Sequence, residues 1–332
     1  MPRVAPAVIR RRRLDEIIES EQADSSSAVL VCAPAGYGKT TLLALHAQRL
    51  KSVDRLIAWM TCDRHDADAS HLWQAVLTAL TAAVRRLPAH LRPPDPFDSL
   101  TAPPTMDRAF LAELTAAVEA LDAPITLVLD DFHEVHDPAV LDGVTDFVRN
   151  LPDRLTLVIS ARRDPAIPLH RLRLDGRLTE IRGADLAFDL GEVEEVLRGQ
   201  DVRLDPADLT TLWRRTEGWP AAVRLACLSL AHEADPALFV ANFAGDDSAV
   251  AGYLVAEILS RRSEGDRQFL LDTCVADELT AELAADERTP GRCSTGWSRR
   301  TRWCSGSGAP GTGSATTRSC VPTCSRNSGA AT

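Results

Sequence analysis

The chain has 332 residues, 45% of them hydrophobic and 25% charged, a length for two or three domains and a composition unlike disordered or fibrous chains. No run of 18 apolar residues occurs, and the opening MPRVAPAVIRRRRL lacks the apolar stretch of a secretory signal, so a cytoplasmic protein without membrane spans is expected. The net charge is −10, but residues 1–287 carry −17, because seven arginines and no acidic residue follow from Arg288 onward; an acidic body argues against broad nucleic-acid binding.

Residues 1–27 read as an arm and helix. The basic run Arg10–Arg13 precedes an amphipathic helix from Leu14 to Glu21, and suits either a solvated arm or a segment beside a bound base. Val29–Leu43, VLVCAPAGYGKTTLL, is an apolar strand, a small-residue loop and a helix start. Ala33 to Thr40 fits the phosphate-loop spacing G-x-x-x-x-G-K-[ST], except that Ala33 stands at the first glycine. Backbone N–H groups of such a loop face phosphate oxygens, and Gly36 and Gly38 permit the close approach. Lys39 is then expected to reach the β- and γ-phosphates and Thr40 to hold Mg²⁺, with Ala33, Tyr37 and Thr41 completing the nucleotide-binding stretch. Of 37 basic side chains only Lys39 and Lys51 are lysines, which makes the lysine in this loop more telling.

Leu56–Met60 reads as a strand. Asp63, Asp66 and Asp68 suit helix capping better than metal binding. Helices are expected over His71–Arg86 and Met106–Leu121, with a proline-rich connection, Leu87–Pro104, between them. Ile125–Leu129 is apolar and ends in Asp130-Asp131, a Walker B pattern. Asp130 is expected to bind Mg²⁺ through water and Asp131 to orient the attacking water, which makes these two the catalytic candidates. His133 and His136 lack further ligands at metal spacing. A helix over Pro138–Asn150 precedes the strand Leu155–Ser160, after which Arg162 is placed either to face a γ-phosphate or to lie on the surface. This alternation predicts a parallel α/β sheet wrapped by helices. After Phe188 the reading is helical: Leu190–Gly199, Asp205–Arg215, Pro220–Ala231, then Phe239–Ala276. Cys32, Cys62, Cys227 and Cys274 are scattered as reduced core residues are.

Taken together, Ala33–Thr41, Ile57–Trp59, Leu127–His133, Leu155–Pro165, Leu172–Phe188 and Gly218–Ala226 resemble the STAND class of P-loop NTPases. Within it they resemble the maltose-regulator-like (MalT-like), LuxR-family transcriptional activators, over about residues 8–287. The resemblance implies a P-loop nucleotide-binding domain (28–188), a helical domain (189–245) and the start of a winged-helix domain (246–287). It implies ATP or ADP with Mg²⁺ as cofactors, an ADP-bound closed state, and an ATP-bound state that self-associates once an unknown inducer binds. By position Arg162 matches the family's γ-phosphate-sensing arginine, and Pro220, in Gly218-Trp219-Pro220, the proline near the adenine. DNA would be met only through a domain absent from this sequence, as are the sensor repeats.

Residues 288–332 show no periodicity. Read one base out of frame, Thr312–Ser325 can encode W-F-R-Y-H-P-L-L-R-A-Y-L-L, which matches the family's winged-helix region; a frameshift near Glu287–Thr289 and a non-native tail are therefore expected, and the codons of the gene test this. The leading expectation is a nucleotide switch with slow ATPase activity, cut short of its regulator. The alternatives are a turnover ATPase of the AAA-like type, such as a loader or motor, and a non-functional fragment of a disrupted gene.

Overall fold

The computed structural model describes residues 8–20, 27–51, 55–63, 68–87, 96–103, 107–121 and 123–243, with isolated positions beyond them. The contacts divide the chain into two units. One comprises Met1–Pro6, Arg10–Ala33 and Gly38–Leu186; the other comprises Ala7–Ile9, Pro34–Tyr37 and residues from Ala187 onward.

The first unit is built on five parallel strands: β1 (Ser27–Cys32), β2 (Leu56–Thr61), β3 (Ile125–Asp130), β4 (Leu155–Ala161) and β5 (Leu178–Arg182), in the order β2-β3-β4-β1-β5. Helices α1 (Arg12–Ser20), α2 (Lys39–Lys51), α3 (Ala69–Arg85), α4 (Arg108–Glu119) and α5 (Pro138–Arg149) alternate with them, joined by the short α6 (His170–Leu174) and α7 (Gly183–Leu186). Every residue of β3 is buried, as a strand with apolar side chains on both faces requires in a sheet covered on both sides. Leu30, Leu127, Leu157 and Ile159 form the centre of one core with Trp73. The Trp73 ring meets Phe110 and Phe147 edge-on, at 5.8 and 5.5 Å between centroids, the geometry aromatic quadrupoles favour. Burying each large apolar side chain of this kind contributes roughly 1.5–3 kcal/mol.

Helix starts follow their capping residues. Asp68 accepts the Ser70 N–H ahead of α3, and Asp137 accepts the Ala139 and Val140 N–H groups ahead of Pro138 in α5, satisfying donors that have no partner inside the helix.

One strand was not expected. β5 is five residues long and only Ile181 is buried in it. Its alternation with Thr179, Glu180 and Arg182 leaves no apolar run to read, yet it completes the sheet beside β1.

The second unit is helical where described: α8 (Leu190–Arg198), α9 (Pro206–Thr216), α10 (Pro220–Leu230) and α11 (Pro236–Asn242). A capping box, in which Asp189 accepts the Glu192 N–H and Glu192 accepts the Asp189 N–H, starts α8. Val193, Leu197, Leu212, Val223, Cys227 and Val240 make its core. The Phe188 N–H donates to the Gly218 carbonyl at 2.7 Å. Gly218 has φ +69°, and a Cβ there would lie 2.2 Å from the Phe188 carbonyl oxygen, so both the turn and the approach need glycine.

The winged-helix region read over 246–287 and the tail over 288–332 lie outside the described residues, apart from isolated positions that include a two-residue antiparallel pairing of Glu278–Leu279 with Thr301–Arg302. Among the described residues no helix is long and apolar enough to cross a membrane.

Candidate functional site

The loop between β1 and α2 leaves the C-terminal edge of the parallel sheet, where open α/β sheets offer their ligand crevice. Ala33 is buried and does not have a positive φ. Its N–H donates to the Ala161 carbonyl at 3.2 Å, so alanine meets no conformational obstacle at the first glycine of the spacing. Gly36 and Gly38 do have left-handed backbones, φ +80° and +75°, which L side chains adopt only with strain.

Lys39 is 7% exposed, and its ammonium donates to the Ala33 carbonyl at 2.8 Å. Burial, then the neighbouring Arg162 cation, lower its pKa to about 8, against the pull of Asp131 and Asp130. Two cations thus bear on one buried position, an arrangement that an anion there would relieve. Arg162, half-buried just past β4, is the same cation that joins burial in lowering His133 to about 4.

Thr40 and Asp130 come together although 90 residues separate them: the Thr40 hydroxyl donates to Asp130 Oδ1 at 3.1 Å. The same oxygen accepts the Ser160 hydroxyl at 2.5 Å, and Ser160 Oγ accepts the Asp131 N–H at 3.0 Å. Ser160 is fully buried and Asp130 is 1% exposed. Burial raises the Asp130 pKa, and the Ser160 and Thr40 hydroxyls oppose that by bonding the charged form. A hydroxyl and a carboxylate side by side are the hard oxygen donors Mg²⁺ takes, so the residues present fit the ion and the nucleotide.

Ser160 was missing from the sequence reading. A serine ending an apolar strand carries no signal by itself. Its role appears only with the strand order, because β4 lies between β1 and β3 and carries its last side chains between the loop and Asp130.

Asp131 has φ +54° and a side chain 37% exposed. His133 follows in a 3₁₀ turn (Phe132–Glu134), with Nδ1 3.8 Å from Asp131 and Nε2 3.5 Å from Glu134. Neither ring nitrogen finds a hydrogen-bond partner, and the ring is held neutral. Thr41 lies half-buried in the first turn of α2.

The crest of the loop belongs to the second unit. There the Trp219 indole N–H donates to the Ala35 carbonyl at 3.2 Å, and the Ala221 N–H donates to the Gly36 carbonyl at 3.0 Å. Pro220 occupies the first position of α10, between these two donors, and Tyr37 packs against the same core.

A phosphate loop, a buried lysine and a hydroxyl–carboxylate pair on one sheet edge are the parts of a nucleotide triphosphatase, and residues 9–160 match the model of the AAA ATPase domain family. This chain carries a P-loop AAA ATPase domain. It is 30% identical over 294 residues to the HTH-type transcriptional regulator MalT of Vibrio cholerae, covering 85% of this chain and 30% of that protein. It is 28% identical over 284 residues to the serine/threonine-protein kinase PknK of Mycobacterium tuberculosis, covering 84% of this chain and 25% of that one. The chain thus spans about a quarter to a third of the length of these relatives. Among solved structures, the Walker-type ATPase PABY2304 of Pyrococcus abyssi superposes with a TM-score of 0.53 at 13% identity, over 86% of this chain and 85% of that one, a likeness of fold. The AAA ATPase domain is thus related to that of MalT, and the fold implies nucleotide binding.

Proposed function

We propose that the chain is an ATP/ADP-dependent switch of the STAND type, part of a signal-responsive transcription regulator, with slow hydrolysis that resets it. The observation that carries the reading is the convergence of Lys39, Thr40, Asp130 and Ser160 on one sheet edge, with Arg162 electrostatically coupled to Lys39.

In this reading Lys39 binds the β- and γ-phosphates, and Thr40 with Asp130 holds Mg²⁺, which neutralises phosphate charge when bound. Ser160 fixes the Asp130 carboxylate by donating to Oδ1 and fixes Asp131 by accepting its N–H. The Asp131 carboxylate is the group exposed enough to orient a water. Arg162 distinguishes a triphosphate from a diphosphate, because a further anionic group relieves the repulsion between it and Lys39. Pro220 lies against the base, and an inducer biases the equilibrium between the two nucleotide states.

A switch changes its association with the bound nucleotide. Light-scattering mass of the full chain is expected to rise with Mg²⁺ and a non-hydrolysable ATP analogue, relative to Mg²⁺ and ADP. Equal mass in both, together with rapid turnover, would instead make it a turnover ATPase.

A further inference from the structure

The second unit grips the crest of the phosphate loop at two successive peptide groups. The Ala35 carbonyl accepts from the Trp219 indole at 3.2 Å, and the Gly36 carbonyl accepts from the Ala221 N–H at 3.0 Å. In a trans peptide the carbonyl of one residue and the N–H of the next point to opposite sides, and no described peptide is cis. Anchoring those two carbonyls on α10 therefore turns the N–H groups of Gly36 and Tyr37 away from it.

The contact is also close. A Cβ on Gly36 would lie 2.7 Å from the Trp219 ring and 2.8 Å from Ala221 Cβ, so the indole leaves no room for any side chain there. Trp219 is 5% exposed, and its ring meets Tyr253 edge-on at 5.8 Å. Its own N–H donates to the Thr216 carbonyl at 2.8 Å, which fixes the backbone from which the indole projects. The Trp219 side chain does not cap α10; the loop carbonyl of Gly36 serves the Ala221 N–H instead, one of the donors that lack a partner at the start of a helix.

We infer that Trp219 is a positioning residue for phosphate binding: by holding the Ala35 carbonyl on the helical unit, it presets the Gly36 and Tyr37 N–H groups in the orientation an anionic phosphate accepts from. The inference rests on the nucleotide reading of the loop. Preorganised donors gain affinity because the bound geometry need not be ordered at the moment of binding. Through the same bond, phosphate occupancy is felt at the start of α10, which makes Trp219 the reporter of the loop's state within the helical unit.

Trp219→Phe puts a smaller aromatic ring in place of the indole and removes the N–H. In the full chain it is expected to lower the melting temperature without nucleotide by a few degrees, and to raise the calorimetric Kd for Mg·ADP about three- to tenfold, the effect of one neutral hydrogen bond. The stabilisation that saturating ADP confers on melting shrinks correspondingly. A residue that only filled the core would lower the melting temperature and leave the Kd unchanged; that result overturns the proposal. If Lys39→Ala abolishes binding while Trp219→Phe binds as the parent does, the proposal fails and the nucleotide reading stands. If the parent binds no ADP, the nucleotide reading fails and the proposal with it. Should Trp219→Phe not fold, the parent decides: in protein made with ¹⁵N-tryptophan, one indole N–H is expected to gain protection from hydrogen exchange on adding Mg·ADP. Six indoles unchanged by ADP would overturn the proposal.

Discussion

The two units hold the phosphate loop by different physics. In the sheet unit the means is charge in a buried place: an ammonium on a carbonyl, and a carboxylate fixed by two hydroxyls. In the helical unit two neutral hydrogen bonds and the fit of an indole against a glycine hold the crest. Within the first unit buried charge is the means of holding, and within the second it is neutral bonding and close fit at residues 34–37. Chemistry placed on a parallel sheet edge is legible as motif, whereas shape imposed by a distant helix is not.

The comparison can be broken most forcefully at Lys39. Lys39→Ala removes the cation and is expected to weaken Mg·ADP binding about a hundredfold or more while the apo protein stays folded, since a buried ammonium is itself costly. Calorimetry on parent and variant checks this; near-parent affinity would put the anion elsewhere.

Gly218→Ala attacks the helical unit alone. It places a Cβ 2.2 Å from the Phe188 carbonyl oxygen at φ +69° and is expected to cost about 2–4 kcal/mol. Urea unfolding followed by Trp emission should show the loss, while the Asp130–Ser160 pair in the sheet unit is untouched.

Titration sharpens the sheet-unit side. His133 has a folded pKa of about 4 against an unfolded value near 6.5. Between these values the unfolded chain binds the proton and the folded chain does not, so stability is complete above about 6.5 and falls as the pH drops toward 4. The loss is on the order of 3 kcal/mol, and His133→Gln should flatten that part of the stability–pH curve in urea titrations. An unchanged curve would mean the ring is not held neutral.

The smallest effect expected is that of Ser160→Ala. It leaves the core filled but deprives Asp130 of a donor and the Asp131 N–H of its acceptor, a destabilisation of about 1–2 kcal/mol. Its sharper mark is a shift of Mg²⁺-dependent nucleotide affinity toward higher metal concentration, read by titrating Mg²⁺ at fixed ADP.

Much of this was legible in the residues, and the exceptions have physical reasons. β1 to β4 are short apolar runs bounded by polar turns, and their length is what reads as buried parallel strand rather than helix. β5 escaped because four of its five residues are only partly buried and carry no apolar run. Lys39, Thr40 and Asp130 could be named because their spacing along the chain reflects a local loop and a strand end. Ser160 could not, because strand order decides which strand end lies beside Asp130, and order is a non-local property. Whether Ala33 was tolerable turned on the sign of one dihedral. Trp219 looked like an interruption between helices; its carbonyl partner lies 184 residues away, beyond any local pattern.

The measurement that bears most directly on the central claim is chromatography of whatever nucleotide is released when the purified full chain is denatured, with Lys39→Ala as control. Stoichiometric ADP from the parent and none from the variant is the predicted result. A folded parent that releases none, and takes up neither ADP nor ATP with Mg²⁺, would contradict the account.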